Sequence, residues 1–292
     1  MFKAQVANYF GHGNSPTINA NGSLSKDIIL LKLGSYRVRI KQKTEVISNK
    51  LRPNGFIHTS EIEIEQIKNF ATGERIVNDL CQLLSLVSMS QVRPINYEFN
   101  NIKKSINVSG QSMSYRPLIT IMDREVVISF IEQVWPQYRK LKRSRKLFEV
   151  IEMMTVAELT IQPLEVQLAQ AFIILENLKG TYARSKNIPF IKGYFREISS
   201  PPKADPAKEK KLGFERLLKD MLDEVGMSPS LRKVIQLRNE IIHFGLSRKP
   251  YESLLKHYDT CQDLIREYLL RILGYQGEYW IYSKACREQG VL

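Results

Sequence analysis

The spacing of apolar residues changes near Arg124, and this change constrains the fold more than any other feature of the sequence. Before it, apolar runs are short, as in DIILLKL and SYRVRIKQK, which flank Gly34 and Ser35. Two extended runs separated by a glycine predict a β-hairpin. After Arg124 the apolar residues recur every three to four positions, which is the period of a helix. The sequence therefore predicts an α+β chain, with strands first and helices second.

The first part of the chain is expected to be a β-rich α+β domain over residues 1–135. Ile57, Ile62 and Ile64 alternate in FIHTSEIEIE, which predicts a further strand. The helical spacing of GERIVNDLCQLLSLVSM predicts one long helix. Additional short strands or their loops are expected at 92–99, 105–108 and 117–122. No recognisable catalytic constellation lies in this domain.

The second part, residues 136–292, is expected to be an all-α bundle of about five helices. A proline inside a helical pattern ends or kinks the helix, so an interruption is predicted at Trp135-Pro136. The segment 199–211, SSPPKADPAKEKK, holds three prolines and no large apolar residue, which predicts a mobile loop. The last long helix is expected to start near Pro250.

Composition limits the class of protein. The 292 residues are 43% hydrophobic, without a run of 18 apolar residues or a signal-peptide pattern. Cys81, Cys261 and Cys286 are odd in number and lack CxxC spacing, which argues against a disulfide framework and a zinc cluster. GHGNSP lacks the spacing of a phosphate loop, and His58 and His257 have no ligand-spaced partners. We expect a cytoplasmic protein without a membrane segment, metal or cofactor.

The charge of the chain points to a polyanionic partner. The formal net charge is +13, and each phosphate that a cation neutralises releases counterions. YRKLKRSRK at 138–146 holds six basic residues in nine, flanked by Tyr138 and Phe148. It is a candidate RNA-contacting stripe, and a solvated helix or linker face is the alternative. The candidate RNA-binding residues are Arg139, Lys140, Lys142, Arg143, Arg145 and Lys146.

LRNEIIHFGLSRKP, at 237–250, places polar residues in an apolar helical pattern. Arg238 lies near the middle of the apolar arc that starts at Leu231, and an unpaired buried guanidinium is very costly. It therefore needs a carboxylate, a route to solvent or an anion. Asn239 and His243 are four residues apart and share one flank. A basic residue before Gly245 also complements the helix dipole, which alone accounts for His243 but not for Arg238.

The residues Arg238-Asn239-Glu240-Ile241-Ile242-His243 fit the RNxxxH form of the R-x(4–6)-H motif of the HEPN superfamily. The surrounding helices, at about 145–275, also resemble this superfamily, and LAQAFIILENLKGTYAR resembles the helix that precedes the motif in ApeA-like anti-phage members. In those proteins a β-containing domain precedes the HEPN bundle. The segments NGSLSKDIILLKL at 21–33 and ERIVNDLCQLLSLVSMSQV at 74–92 resemble that domain in layout.

The resemblance implies a metal-independent endoribonuclease in which the RNA 2′-hydroxyl is the nucleophile and a cyclic phosphate is left. His243 would be the general acid/base and Arg238 would stabilise the phosphate, while Asn239 would orient His243 or the phosphate. Glu176, on a preceding helix, is the candidate partner of Arg238 or His243; an ordinary exposed glutamate is the alternative. The resemblance also implies a homodimer through the helical domain, and a role in anti-phage defence or as a toxin. A regulatory protein or phage-derived trigger belongs to that expectation.

A non-catalytic RNA-binding or dimerisation module is the alternative function. Arg238 would then be structural, paired with a carboxylate, and His243 would cap its helix. An accessible Arg238 and His243 in a basic cleft would favour the nuclease. An Arg238 sealed against an acidic residue would favour the module.

Overall fold

The computed structural model describes residues 1–11, 15–18, 24–43, 57–107, 116–158, 162–284 and 288–292. Within these ranges, the side chains of 15–18 and 24–26 are not described. Residues 12–14 of the GHGNSP segment, and Cys286, lie outside the described residues.

An antiparallel sheet of seven strands forms the N-terminal part. Its strands follow the chain as β1 (Phe2–Ala7), β2 (Ser15–Ile18), β3 (Leu24–Leu33), β4 (Tyr36–Gln42), β5 (His58–Ile64), β6 (Arg93–Phe99) and β7 (Ile102–Ser105). Their order across the sheet is β2-β3-β4-β5-β1-β6-β7. The predicted hairpin is confirmed as β3–β4, which turns at Gly34 with φ +64°. A side chain would be strained in that left-handed conformation.

Helix α1 (Phe70–Ser88) connects β5 to β6 and confirms the predicted long helix. Asn69 caps its start, because the Asn69 side chain accepts a hydrogen bond from the Thr72 amide at 2.9 Å. The three-to-four spacing places one set of apolar side chains on the buried face: Ile76, Leu80, Leu83, Leu84 and Val87, each at most 1% exposed. The residues at 117–122, predicted as a strand or its loop, form turns without strand pairing.

The proline predicted to end or kink a helix at Trp135-Pro136 does not end it. Pro136 lies inside α2 (Arg124–Leu141), which continues past it to Leu141. Because proline has no amide hydrogen, the carbonyl of Glu132 lacks its usual intrahelical donor. The helix persists because its apolar face, including Phe130, Val134 and Tyr138, is buried around the proline.

Five helices follow: α3 (Leu147–Ala157), α4 (Leu164–Ser185), α5 (Phe214–Asp223), α6 (Arg232–Phe244) and α7 (Tyr251–Leu273). Helix α4 packs against α3, α5 and α6. This central position follows from its sequence, because Leu168, Phe172, Leu175 and Leu178 are all buried along it. The chain is therefore a mixed α+β protein, as predicted.

The second part is not all-α. Between α4 and α5 lies a small antiparallel sheet made of β8 (Phe190–Ile191), β9 (Tyr194–Glu197) and β10 (Lys210–Lys211). Most of the segment that connects β9 to β10 is the predicted mobile loop 199–211. In the structure this segment forms hydrogen bonds within itself. Glu209, which is 3% exposed, accepts hydrogen bonds from the amides of Ser199 and Lys203 at 3.1 and 2.7 Å.

The chain divides into two compact units with a boundary between Arg139 and Lys140. The second unit ends at Ile272, apart from a short segment that starts at Tyr282. A last hairpin, β11 (Glu278–Ile281) and β12 (Glu288–Val291), belongs to the first unit. The amide of Trp280 donates to the Leu118 carbonyl at 2.9 Å, which accounts for this membership. The expected uninterrupted domain from 136 to 292 therefore differs from the observed division.

Within the described ranges, none of the helices is both long and apolar enough to cross a membrane.

Candidate functional site at Arg238

Helix α6 presents the RNxxxH residues. Val234, Leu237 and Ile241 are its buried residues, and it ends at Gly245, whose amide bonds to the Ile241 carbonyl at 2.8 Å. Gly245 adopts a positive φ of 74°, the left-handed conformation in which glycine commonly ends a helix. Arg238 projects from the buried face, as its position in the apolar arc predicts, and 23% of its side chain remains exposed.

Arg238 is held by an ion pair and a ring. Its Nη2 donates to Oε1 of Glu176 at 2.7 Å, which is the predicted pairing with helix α4. Its Nη1 donates to Oδ1 of Asn239 at 3.0 Å, and its guanidinium carbon lies 5.0 Å from the centre of the Phe214 ring. Nε is buried and has no hydrogen-bond partner within the described part of the chain. Arg238 is thus fixed on one side and keeps a donor that no described residue uses.

A second cation shares the same carboxylate and the same ring. Lys179, one turn after Glu176 on α4, places Nζ 2.5 Å from Oε2 of Glu176. The same Nζ lies 5.0 Å from the centre of the Phe214 ring. Two cations therefore face one carboxylate and one aromatic ring, which leaves the cluster with an excess positive charge. Such a cluster attracts an anion such as a phosphate.

His243 lies near the end of α6 with its side chain exposed. To the described residues it makes no hydrogen bond or ion pair. Five residues separate it from Arg238, so the two lie roughly 140° apart around the helix axis and about 7.5 Å apart along it. Asn239, also exposed, shares the flank of His243 and touches Arg238. Helices α6 and α4 therefore bring Arg238, Asn239 and Glu176 together, whereas His243 lies away from Arg238.

Glu240 fixes the chain that follows His243. Its Oε1 accepts hydrogen bonds from the Ser247 hydroxyl at 2.7 Å and from the Arg248 amide at 3.1 Å. These bonds, first from Ser247 and then from Arg248, lower the pKa of Glu240. Glu240 therefore closes the turn between α6 and α7.

The basic stripe divides into exposed and buried members. Arg139, Lys140, Arg143 and Lys146 are exposed and Lys142 is half-buried. The prediction is wrong for Arg145, which is 6% exposed and donates to the hydroxyls of Tyr268 and Ser185. Burial also lowers the pKa of Arg145. The stripe covers the end of α2 and a turn that closes at Lys146 with φ +49°, and this turn directs Arg145 inward.

The flanking aromatic residues also differ from each other: Phe148 is 52% exposed, whereas Tyr138 is 1% exposed. Tyr138 therefore has no face available for a base.

Phe214 and Lys179 were not predicted as site residues. Phe214 starts the apolar stripe of α5, so its pattern is that of an ordinary core residue. Lys179 has one signal in the sequence, its spacing of three residues from Glu176, which places the two on neighbouring turns of one helix face.

Reactive and metal-binding groups are scarce in the described part of the chain. Cys81 and Cys261 are buried free thiols, and burial raises the pKa of each to about 12. In the same residues, no group of three His, Cys, Asp or Glu side chains could hold a metal ion. Comparison with protein-family models, characterised proteins and solved structures finds no match to the chain.

Proposed function

We propose that the protein is a metal-independent endoribonuclease of HEPN type, with a HEPN-like helical bundle as its second unit. The observation that carries this proposal is the Arg238 cluster. Glu176 and Phe214 hold the guanidinium in place at a partly exposed position, while His243 is exposed on the same helix. A fixed cation beside an accessible histidine suits phosphodiester chemistry.

In the proposed reaction, the RNA 2′-hydroxyl attacks the adjacent phosphorus and the bond to the 5′-oxygen of the next nucleotide breaks. His243 removes the proton from the 2′-hydroxyl, because histidine exchanges protons near neutral pH. A second His243, from another copy of the chain, protonates the departing 5′-oxygen. The products are a 2′,3′-cyclic phosphate and a 5′-hydroxyl. Arg238 stabilises the added negative charge on the phosphorus oxygens, and Asn239 positions Arg238 through its hydrogen bond.

Dimerisation is part of the proposal, because a single α6 leaves His243 away from Arg238. Large apolar side chains next to His243 support a partner surface there: Ile242, Phe244 and Leu246 are 46%, 78% and 71% exposed. Apolar residues at this exposure favour association. The exposed Arg139, Lys140, Arg143 and Lys146 and the half-buried Lys142 add RNA contacts. A cytoplasmic role in anti-phage defence or as a toxin, under a regulatory protein or phage-derived trigger, completes the proposal.

The test is incubation of the purified chain with a single-stranded RNA in EDTA, beside His243→Ala and Arg238→Ala. We expect the wild type alone to cleave and to leave cyclic phosphate ends. Cleavage by all three proteins identifies a contaminating nuclease. Absence of cleavage by the wild-type dimer removes the proposal.

The ion pair itself favours a second candidate function, a non-catalytic RNA-binding or dimerisation module. Glu176 already pairs with Arg238 at 2.7 Å, as a structural arginine requires. Under this alternative, His243→Ala leaves RNA binding and dimerisation unchanged, and no RNA is cleaved.

A further inference from the structure

The small sheet between α4 and α5 has two different faces. Strand alternation and pairing place Tyr194, Arg196 and Lys211 on one face, because Lys211 is paired with Arg196. Phe195 and Phe190, paired with each other, lie on the opposite face. Phe195 packs with Ala183 of α4 and Leu217 of α5. The face that carries Tyr194, here called the Tyr194 face, therefore points away from this packing.

Two cations lie near the Tyr194 ring. Lys211 places Nζ 3.9 Å from the ring centre, and the guanidinium carbon of Arg196 lies 5.9 Å from it. The tyrosine remains 48% exposed. Arg196 is 4% exposed and donates to the carbonyl oxygens of Ile191 and Glu209, which orient the guanidinium without neutralising it. An exposed ring with two adjacent positive charges fits a ligand that has flat rings and negative charges.

The whole segment 186–211 is basic, with seven Lys and Arg side chains against three Asp and Glu side chains. The acidic residues do not neutralise the Tyr194 face. Glu197 is paired with Lys210 at 2.9 Å on the opposite face, and Glu209 is used by amides of its own turn. Lys192, at the β8–β9 turn, adds a positive charge at one end of the sheet.

The Tyr194 face is connected along the chain to Phe214, whose ring contacts Arg238. Lys211 precedes Phe214 by three residues, so their Cα atoms lie at most about 11 Å apart. Phe214 in turn carries Arg238 and Lys179 on its ring. The amide of Leu212 donates to the Phe195 carbonyl at 2.9 Å, which fixes the sheet to the start of α5. Lys211 and the Arg238 cluster are therefore linked through the first residues of α5.

We propose that the Tyr194 face binds single-stranded RNA. An unstacked base lies on Tyr194, and the flanking phosphates contact Lys211 and Lys192. This inference rests on the proposed ribonuclease function and specifies its substrate as unpaired RNA, since a base within a duplex has no free face to offer.

The test measures binding of a fluorescent single-stranded RNA of about 12 nucleotides to full-length His243→Ala protein, which does not consume the probe. We expect Tyr194→Leu to weaken binding roughly tenfold and Tyr194→Phe to retain it, because stacking needs a ring. Phe190→Leu, on the opposite face and 58% exposed, is the matched control and should leave binding unchanged.

The adjacent lysines Lys210 and Lys211, on opposite faces of the sheet, give a second comparison. Lys211→Ser should reduce the slope of the logarithm of the binding constant against the logarithm of salt concentration by about 0.7. This is the value for one phosphate contact on a single strand. Lys210→Ser, whose charge already pairs with Glu197, should change it less. A duplex RNA of equal length should bind more weakly than the single strand.

The outcomes separate this inference from the proposed function. One outcome is that the His243→Ala protein binds RNA equally well with and without Tyr194→Leu, and that Tyr194→Leu protein with His243 intact still cleaves RNA. This outcome overturns the Tyr194 face and keeps the nuclease. Loss of binding in Tyr194→Leu, with no cleavage by any variant, keeps the face and removes the nuclease. Equal loss in the Phe190→Leu and Tyr194→Leu proteins contradicts the inference, because it shows that only the fold of the hairpin matters.

Discussion

Nη2 of Arg238 donates to Oε1 of Glu176 at 2.7 Å, across helices α6 and α4. The other oxygen of the same carboxylate holds Lys179. One glutamate therefore sets the position of two cations, and its charge decides how strongly the cluster attracts an anion.

The Glu176–Arg238 pair is predicted to be a modest source of stability. The two side chains are 35% and 23% exposed, so solvent screens their attraction. A double-mutant cycle with Glu176→Gln and Arg238→Met should give a coupling of about 1 kcal/mol in urea denaturation. The Lys186–Glu224 pair, 46% exposed on both sides, is the control and should couple less strongly. A coupling of several kcal/mol would instead assign Arg238 a structural role.

Phe214 is predicted to matter for RNA cleavage more than for folding. Phe214→Leu keeps an apolar residue at the start of α5 but removes the ring that Arg238 and Lys179 share. Loss of cation–π contacts should lower the cleavage rate by about 2- to 30-fold. Phe148→Leu, at an exposed position near basic residues, is the control for general effects. A large fall in Tm with Phe214→Leu would show that the ring serves packing.

Arg266 is predicted to be the most sensitive charged residue of the second unit. Its side chain is fully buried, and Nη2 donates to Oε1 of Glu158 at 2.5 Å. Arg266→Met should lower the free energy of unfolding by about 3–5 kcal/mol, because it leaves the Glu158 carboxylate buried without its cation. The Arg271–Glu267 pair is partly exposed, so Arg271→Met should cost about 1 kcal/mol or less. Chemical denaturation of both variants makes the comparison.

Glu209 is predicted to hold the turn that precedes β10. Its two oxygens accept hydrogen bonds from the Ser199 amide, the Ser199 hydroxyl and the Lys203 amide. Glutamine keeps only one acceptor oxygen, so Glu209→Gln should speed amide hydrogen exchange across 199–211. Lys208→Gln, in the same turn, should not. Fast exchange in the wild type would support the mobile loop that the proline content predicts.

His257 is predicted to make stability depend on pH. Its pKa is lowered, first by burial and then by repulsion from Lys249, Lys233 and Lys256. Above about pH 6.5, the ordinary histidine value, the ring is neutral in both states and has no effect. Below it the unfolded chain binds a proton that the folded protein takes up only at its lower pKa. The free energy of unfolding should therefore fall as the pH decreases through this window.

His257→Gln should flatten that part of the curve, measured as Tm against pH between about 7 and 5. An unchanged slope in the variant would assign the pH dependence to other groups.

The sequence predicts elements whose apolar pattern is long enough to show its period. Helix α1 places apolar residues on one face for about three turns, and the β3–β4 hairpin has two long runs around Gly34. Strands β8 and β10 have two residues each, too few for any alternation to be visible. Pro136 does not end α2, because burial of the apolar face of the helix outweighs one missing hydrogen bond.

At the candidate site, the cost of burying a guanidinium predicts that Arg238 needs a partner, whereas the choice of Glu176 as that partner rests on the resemblance to the HEPN superfamily. Phe214 could not be predicted, since the pattern of α5 does not distinguish a ring that packs from a ring that carries cations. Arg145 shows the converse limit. A run of basic residues gives the charge of a segment, but the turn at Lys146 decides which of them points inward.

The hydrogen bond from Trp280 to Leu118 has a consequence for biosynthesis. The first unit includes residues that the ribosome adds only after all of 140–272, so its strand β11 arrives late. At about 5–20 residues per second, the Leu118 carbonyl waits on the order of ten seconds for its partner. During that interval residues 140–272 can fold while the sheet unit still lacks β11 and β12, so both units take their last residues from the end of the chain.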